Sequence, residues 1–157
     1  MRRRAVFTYI LSSVLGLCLI LVFLLFSGFT QGERMAMHAL RHLEAKYVFN
    51  TDGPDRFDCS GLVLHCGERE GLGPIPHEAK KIYLMGLGVA RWQLLPGDIV
   101  CFDTVRDSDP SDHVGIYLGG NRFVHASSSK HKVVVSELEG FYLEKYSGAR
   151  RIANPYI

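Results

Sequence analysis

The chain has 157 residues, with 18 lysines and arginines against 16 aspartates and glutamates. Three of the basic residues are Arg2, Arg3 and Arg4, so the rest of the sequence carries 15 basic and 16 acidic residues. A nucleic-acid-binding role is poorly supported, because such domains normally present a basic face. The length fits one domain once an apolar N-terminal segment is set aside.

The segment from Ala5 to Phe29 contains no charged residue. Its 25 residues exceed the roughly 20 that cross a bilayer. Its end lacks the small-x-small site at which signal peptides are cleaved, so an uncleaved transmembrane helix is favoured over a cleaved signal. We therefore expect residues 1–30 to be a single-pass anchor in the cell (inner) membrane. The arginine cluster should stay in the cytoplasm, which places residues 31–157 in the periplasm or outside.

Beyond this segment, the sequence predicts an α+β domain. Helical patterns cover about residues 34–47, the stretch that begins at Cys59, and the region around residues 78–86. Strand patterns follow at residues 98–102, in a hairpin around residues 113–126, at residues 132–135 and near residues 149–152. This order indicates helices packed on a small antiparallel sheet.

Cys59 lies at the predicted start of a helix and is the candidate nucleophile. Asp58 is a favourable N-cap residue for that helix. The first turn of a helix offers unpaired backbone N–H groups and the positive end of the dipole, and both favour a thiolate. A thiol nucleophile also needs an imidazole nearby to take and return its proton.

His113 and His125 are the candidate imidazoles, on the two strands of the hairpin. If residues 119–121 form the loop, His125 lies opposite Gly115 and one diagonal step from His113, within reach of a hydrogen bond. A two-residue loop without a bulge would separate the two rings. The three-residue loop also gives the hairpin an apolar face, formed by Val114, Ile116, Val124 and Ala126.

Three blocks in this order, residues 57–63, 95–100 and 113–126, resemble the NlpC family of papain-like cysteine peptidases, which cut the peptide stems of bacterial cell wall. The resemblance covers about residues 34–152. It implies a papain-like NlpC-type fold and a peptidoglycan endopeptidase. No cofactor or metal is expected, because the sequence contains no phosphate-binding glycine loop and no zinc-ligand spacing. The bond that the resemblance implies lies between D-glutamate and the diamino acid of the stem peptide.

The resemblance also implies roles for individual residues. Cys59 would be the nucleophile, His113 the general base and acid, and His125 the polar group that holds the imidazole. Substrate-binding roles are implied for Tyr47, near the oxyanion, and for Asp58 and Ser60, which match positions that contact the free amine of the stem peptide in some members.

One departure from the family pattern lies before the nucleophile, where Asn50 and Thr51, which follow Phe49, stand in place of two glycines. Asn adopts a left-handed backbone at modest cost and Thr does so poorly, so the substrate cleft could be shaped differently. Two alternatives to the endopeptidase stay open. The domain could bind wall peptide or a partner without cleaving it, or an amidase or acyltransferase could use the same triad.

The remaining candidate residues receive structural interpretations. Cys66 and Cys101 could form a disulfide, but two buried thiols are favoured. The aspartates of residues 103–112 could attract a cationic part of the substrate, but a solvated loop is favoured. Trp92 is expected to pack in or beside the core. Surface or packing roles are expected for the other histidines, which are His38, His42, His65, His77 and His131.

Overall fold

The computed structural model describes residues 16–18, 28–105 and 110–152. Most of the predicted transmembrane segment, like Asp107 and Asp109 of the acidic loop, lies outside these residues. Among the helices that are described, none combines the length and apolar character that a bilayer span requires. The chain divides into two units, Met1–Thr30 and Gln31–Ile157, and the second contains all of the elements below.

The second unit contains short helices and a single sheet. The helices are α1 (Gln31–Leu40), α2 (Cys59–Arg69), α3 (Ala79–Tyr83) and α4 (Gly140–Glu144), with a 3₁₀ turn at Arg91–Gln93. The strands are β1 (Lys46–Tyr47), β2 (Arg56–Phe57), β3 (Leu87–Gly88), β4 (Ile99–Phe102), β5 (His113–Gly119), β6 (Arg122–Ser127), β7 (Lys132–Glu137) and β8 (Tyr146–Arg151).

The sheet has eight strands in the order β2-β1-β7-β6-β5-β4-β8-β3. Its neighbours run antiparallel except β1 and β2, which are parallel. The sheet is therefore larger than the small antiparallel one predicted. Strands β1, β2 and β3 have two residues each, which is too short for the alternation by which a strand is recognised in a sequence.

Helices α1 and α2 pack together and against the central strands. Each buries residues at positions i, i+1 and i+4, which lie on one face of a helix. The predicted first helix ends early, because α1 stops at Leu40 and the chain turns through Glu44, whose φ is 69°. Tyr47, expected near a helix end, lies instead on β1. These buried apolar side chains are Met35, Ala36 and Ala39 in α1 and Leu62, Val63 and Cys66 in α2.

The central strand β4 is buried on both faces. Side chains alternate along a strand, so Ile99 and Cys101 join the core beneath the helices, whereas Val100 and Phe102 join a second cluster on the opposite face. Coverage of both faces explains why β4 is apolar throughout. The helices contact β5, the strand beside β4 that begins at His113.

The loop of the hairpin is shorter than predicted, but the predicted pairing of its strands is observed below the loop. Gly119 pairs with Arg122, so the loop has two residues, and a register shift follows between Tyr117 and Gly119. Ile116 then pairs with Val124, as predicted. A two-residue loop with a bulge thus produces the pairing that a three-residue loop would give.

Other predicted details have mixed outcomes. Helix α3 is shorter than expected, and α4 was not predicted. Cys66 and Cys101 are both buried and free, which confirms the interpretation as two thiols. The prediction for Trp92 is wrong, since its side chain is 84% exposed.

Candidate active site

The nucleophile candidate Cys59 is the first residue of α2, and Asp58 caps that helix. One carboxylate oxygen of Asp58, Oδ1, accepts a hydrogen bond from the backbone N–H of Gly61 at 2.7 Å and from Ser60 Oγ at 2.9 Å. Such a cap fixes the first helical turn, so the position of the thiol is set by its neighbours in sequence.

The loop of residues 50–51 closes over this helix start. Asn50 has a φ of 58° and donates its backbone N–H to Asp58 Oδ2 at 2.8 Å. The carbonyl of Thr51 accepts the N–H of Asp58 at 2.8 Å. A Cβ on Gly61 would lie only 2.1 Å from that carbonyl oxygen. Asn50 therefore adopts the left-handed conformation that would otherwise favour glycine, and Gly61 permits the close approach of the loop.

The two hairpin histidines are directly bonded, with His113 Nε2 and His125 Nδ1 2.8 Å apart. His125 is fully buried, and its other nitrogen lies 3.0 Å from Ser136 Oγ and 3.3 Å from the hydroxyl of Tyr142. Ser136 and Tyr142 were not predicted as site residues. Ser136 pairs with Phe123 on the adjacent strand, which places it diagonally beside His125.

This hydrogen-bond chain assigns the protons if His113 is to accept one from a thiol. His113 Nδ1 must then be unprotonated, so Nε2 carries the hydrogen and donates it to His125 Nδ1. His125 in turn carries its hydrogen on Nε2 and donates it to Ser136 or Tyr142. This series of hydrogen bonds thus leaves Nδ1 of His113 free to accept a proton.

Burial keeps both imidazoles neutral. It lowers the pKa of His113 to about 4, although the nearby carboxylate of Asp112 acts in the opposite direction. Burial, followed by the proximity of His113, lowers the pKa of His125 to about 3. A neutral His113 at physiological pH is able to act as a general base.

The thiol is also neutral, which differs from the expectation based on the helix dipole. Burial raises the pKa of Cys59 to about 11, and the charge of Asp58 adds to this effect. The backbone N–H groups of Val114 and Ser60 lower the pKa by hydrogen bonding to the sulfur, but they do not offset burial. The resting pair is therefore a thiol and an imidazole, so a reaction that uses Cys59 as the nucleophile needs a base to deprotonate it.

An open cleft of about 260 Å³ lies in front of the thiol. The predicted site residues Tyr47, Asp58, Cys59 and Ser60 all line it. His113 is placed beside them, because its neighbour Asp112 lines the cleft and the next residue along β5 reaches the sulfur through its backbone N–H. The other lining residues are Phe49, Asn50, His77, Glu78, Ala79, Lys80 and Ser111.

His77 was assigned a surface or packing role, but the structure places it in this cleft. Its Nε2 lies 2.9 Å from Asp58 Oδ2, which also accepts the N–H of Asn50. Each oxygen of Asp58 therefore has two partners, which fills the roughly four acceptor positions of a carboxylate. The spacing of 18 residues between Cys59 and His77 contains no pattern from which this contact could be read.

Asp112 has a structural role in the acidic loop. Its Oδ1 accepts the backbone N–H and the hydroxyl of Thr104, at 2.8 and 2.9 Å, and its Oδ2 accepts the N–H of Val105 at 2.6 Å. These bonds hold the start of the loop next to His113. This aspartate therefore shapes the cleft and is not simply a solvated charge.

A nucleophile-bearing helix packed on a strand that carries its histidine is the arrangement of a papain-like domain. The model of the NlpC/P60 family matches residues 44–151. The chain belongs to the NlpC/P60 family.

Proteins of similar sequence include two hydrolases. The chain is 37% identical over 123 residues to a gamma-DL-glutamyl hydrolase from Bacillus subtilis, covering 76% of this chain and 29% of the relative. It is 37% identical over 95 residues to murein DD-endopeptidase MepS/murein LD-carboxypeptidase from Escherichia coli, covering 60% and 49%. The chain thus spans half or less of the length of these two relatives.

The fold is also similar to solved structures. The structure of NlpC2 from Trichomonas vaginalis superimposes with a TM-score of 0.70 and 30% sequence identity. The match covers 80% of this chain and 47% of that chain. This similarity confirms the predicted papain-like NlpC-type fold.

Proposed function

We propose that this protein is a peptidoglycan endopeptidase that cleaves stem-peptide amide bonds with a Cys59–His113–His125 triad. The observation that carries the proposal is the bonded pair of neutral histidines beside a capped helix that presents a thiol to an open cleft. The similarity to a murein DD-endopeptidase and to a gamma-DL-glutamyl hydrolase supports a cell-wall peptide as substrate.

The reaction begins with proton transfer from Cys59 Sγ to His113 Nδ1. The sulfur attacks the amide carbonyl carbon, and the carbonyl oxygen becomes an oxyanion. Tyr47 and the N-terminal N–H groups of α2 are the proposed donors to this oxygen. His113 then returns the proton to the departing amine, which leaves a thioester on Cys59.

Water completes the reaction. His113 takes a proton from the water, whose oxygen attacks the thioester carbonyl, and then returns it to the departing sulfur. The products are a free carboxylic acid and the regenerated thiol. His125 acts through His113, because it holds the Nε2 hydrogen and orients the ring.

We propose the bond between D-glutamate and the diamino acid as the target. It is a γ-glutamyl linkage, which agrees with the name of the Bacillus subtilis relative, a gamma-DL-glutamyl hydrolase. Asp58 contributes a negative charge at the cleft, which would attract the free amine of a stem peptide, while Ser60 adjoins it. The four internal contacts of Asp58 suggest that its charge, more than a direct hydrogen bond, would act on that amine.

We further propose that residues 5–29 anchor the protein in the cell membrane, with the domain facing the periplasm or the outside. The uncharged segment and the preceding arginines support this orientation. Reporter fusions test it: alkaline phosphatase joined after Ile157 should be active, and a fluorescent protein that folds only in the cytoplasm should be dark. The reverse result would contradict the proposed orientation.

The activity is tested by mass spectrometry of defined muropeptides incubated with the full chain in mild detergent. Cleavage at the γ-glutamyl bond releases a fragment that ends in D-glutamate. Cleavage of a cross-link would instead convert muropeptide dimers to monomers. That result would contradict the proposed bond and indicate a DD-endopeptidase reaction.

Matched variants assign the chemistry. Cys59→Ala and His113→Ala should give no fragment, whereas Cys66→Ala removes a buried thiol outside the cleft and should retain activity. Muropeptide binding without cleavage by the unaltered chain would contradict the endopeptidase and support a silent binding domain. Transfer of an acyl group to an added amine in preference to water would support an acyltransferase.

A further inference from the structure

Three histidines that the proposed triad does not use lie close together. His38 is in α1, His42 follows the end of that helix, and His65 is in α2. Each offers one ring nitrogen such that the three atoms lie within 4.8 Å of one another. None of the three lines the cleft. The group therefore connects two helices at a place separate from the proposed chemistry.

The rings are arranged around a common point. Their centroids are 5.4 Å apart for His38 and His42, 5.7 Å for His38 and His65, and 5.1 Å for His42 and His65. Phe57 is fully buried and meets His42 and His65 edge to face, at 4.7 and 5.3 Å. An apolar ring thus supports one side of the group and limits the movement of two of its members.

Two ring nitrogens of this group lack the hydrogen-bond partner that a buried polar atom needs. His38 Nδ1 and His42 Nε2 are shielded from solvent and have no hydrogen-bond partner. Leaving a buried polar atom unsatisfied destabilises the folded state, so folded proteins seldom do so. A ligand that accepts lone pairs from both nitrogens would remove this cost.

We propose that His38, His42 and His65 bind one divalent transition-metal ion, with Zn²⁺ as the best match. Imidazole nitrogen is a preferred ligand of zinc, and three protein ligands with water in the fourth position form a known type of zinc coordination. The ion would tie α1 to α2, the helix that begins at Cys59. The proposal does not depend on the proposed peptidase activity.

The distances allow coordination after small side-chain movements. Zinc–nitrogen bonds of about 2.0–2.1 Å in a tetrahedron place ligand nitrogens about 3.3 Å apart. The present limit of 4.8 Å between the ring nitrogens therefore has to shorten by about 1.5 Å at most. Rotation of the imidazole rings about their side-chain bonds is the movement that this shortening requires.

Burial favours neutral imidazoles, the form that binds metal. Burial lowers the pKa of both His38 and His42, and the neighbouring Arg69 and Arg41 act in the same direction. Glu70 opposes this effect at His38. The arginines also repel a divalent ion, so the affinity should be lower than that of a closed structural site with four ligands.

The sequence does not reveal this group of histidines, because the third ligand is distant along the chain. His38 and His42 are four residues apart, but His65 follows 23 residues later on another helix. The intervening chain contains β1, the loop before the nucleophile and β2. Only the packing of α1 on α2 brings the three rings together.

The test uses the full chain, purified without a polyhistidine tag and freed of metal with a chelator. Zn²⁺ is titrated by calorimetry, and retained metal is counted after gel filtration. Measurements in a Cys59→Ala background exclude the active-site thiol as a ligand. The expected result is one ion per chain in this background and a melting temperature that rises with Zn²⁺ concentration.

Two variants test ligands of the proposed site. His42→Gln and His65→Gln, which keep much of the side-chain volume, should each weaken Zn²⁺ binding at least tenfold and abolish the rise in melting temperature. The matched control is His131→Asn, which removes an exposed histidine with a φ of 58° that Asn tolerates. It should bind Zn²⁺ like its parent.

Co²⁺ provides a second readout that does not rely on stability. A four-coordinate Co²⁺ site should give visible absorption bands in the parent, and the two glutamine variants should lack them. The proposal is overturned if the parent binds no ion, if binding disappears with Cys59→Ala alone, or if the glutamine variants bind as tightly as the parent. Circular dichroism of the metal-free variants confirms that they are folded.

Discussion

His113 Nε2 lies 2.8 Å from His125 Nδ1, and the far side of His125 is bonded to Ser136. The chain of bonds runs from the hairpin into the neighbouring strand β7 and leaves one nitrogen of His113 available. A buried polar chain of this kind fixes both the orientation and the tautomer of the ring at its end. Four predictions follow from this relationship and from the surroundings of Cys59.

His125 should act as a positioning residue. His125→Leu removes the acceptor of the His113 Nε2 hydrogen, and we expect kcat to fall about 100-fold or more with little change in KM, because the reactive nitrogen is no longer held in place. His125→Asn keeps a short polar acceptor and should recover part of kcat. Steady-state kinetics on a muropeptide measure both values, with His131→Asn as control. Equal losses of kcat in His125→Leu and His125→Asn would contradict a positioning role.

The thiol of Cys59 should react as a neutral group at physiological pH. Only the thiolate is alkylated, so a pKa of about 11 predicts that the iodoacetamide rate rises about tenfold per pH unit from pH 7 to 10. A model peptide thiol should level off above its ordinary pKa of about 8.5. Mass spectrometry of the Cys59 peptide follows the reaction separately from Cys18. A rate that is flat above pH 6 would instead indicate a preformed thiolate–imidazolium pair.

His77 should support substrate binding through Asp58. His77→Ala removes the 2.9 Å contact to Asp58 Oδ2 and leaves that oxygen with only the N–H of Asn50. Hydrogen bonds to charged groups are worth about 1.5–3 kcal/mol, so we expect kcat/KM to fall about tenfold or more. His77→Gln, which retains a donor, should lose less. An unchanged kcat/KM in His77→Ala would show that the contact is not needed.

Gly61 should be required for the loop that covers the nucleophile helix. In Gly61→Ala the added Cβ would lie 2.1 Å from the Thr51 carbonyl oxygen, so the loop must move. We expect a loss of about 1–3 kcal/mol in the free energy of unfolding, typical of overpacking, together with reduced activity. Urea unfolding measures the first effect.

Gly88→Ala is the matched control for Gly61→Ala. Its added Cβ would approach only Arg150 Nη1, the end of a flexible side chain. The free energy of unfolding should therefore change little. A similar loss in both variants would show that the backbone contact at Thr51 is not the cause.

Some parts of the site could be predicted because they depend on neighbours in sequence. The start of α2 follows from Asp58, whose side chain caps the helix. The proximity of His113 and His125 follows from the alternation of side chains in a hairpin, although the loop has two residues and a bulge instead of three. A three-residue loop and a two-residue loop with a bulge give the same pairing of the two strands.

Other parts could not be predicted because the contacts join distant segments. His77 reaches Asp58 from beyond α2, Ser136 reaches His125 from another strand, and Tyr47 lies on a two-residue strand with no periodicity. The histidines of the proposed metal site are likewise gathered by helix packing. None of these placements leaves a repeating pattern along the chain.

By itself, the sequence determined the order of the motifs, the helix that begins at Cys59 and the hairpin that carries both histidines, since capping and strand alternation are local. Only the tertiary structure decided which side chains complete the cleft and how Cys59 and His113 are protonated. The physical reason is desolvation: burial raises the pKa of Cys59 and lowers that of His113, against the local effect of the helix start on the thiol. Burial is a property of the whole packed domain.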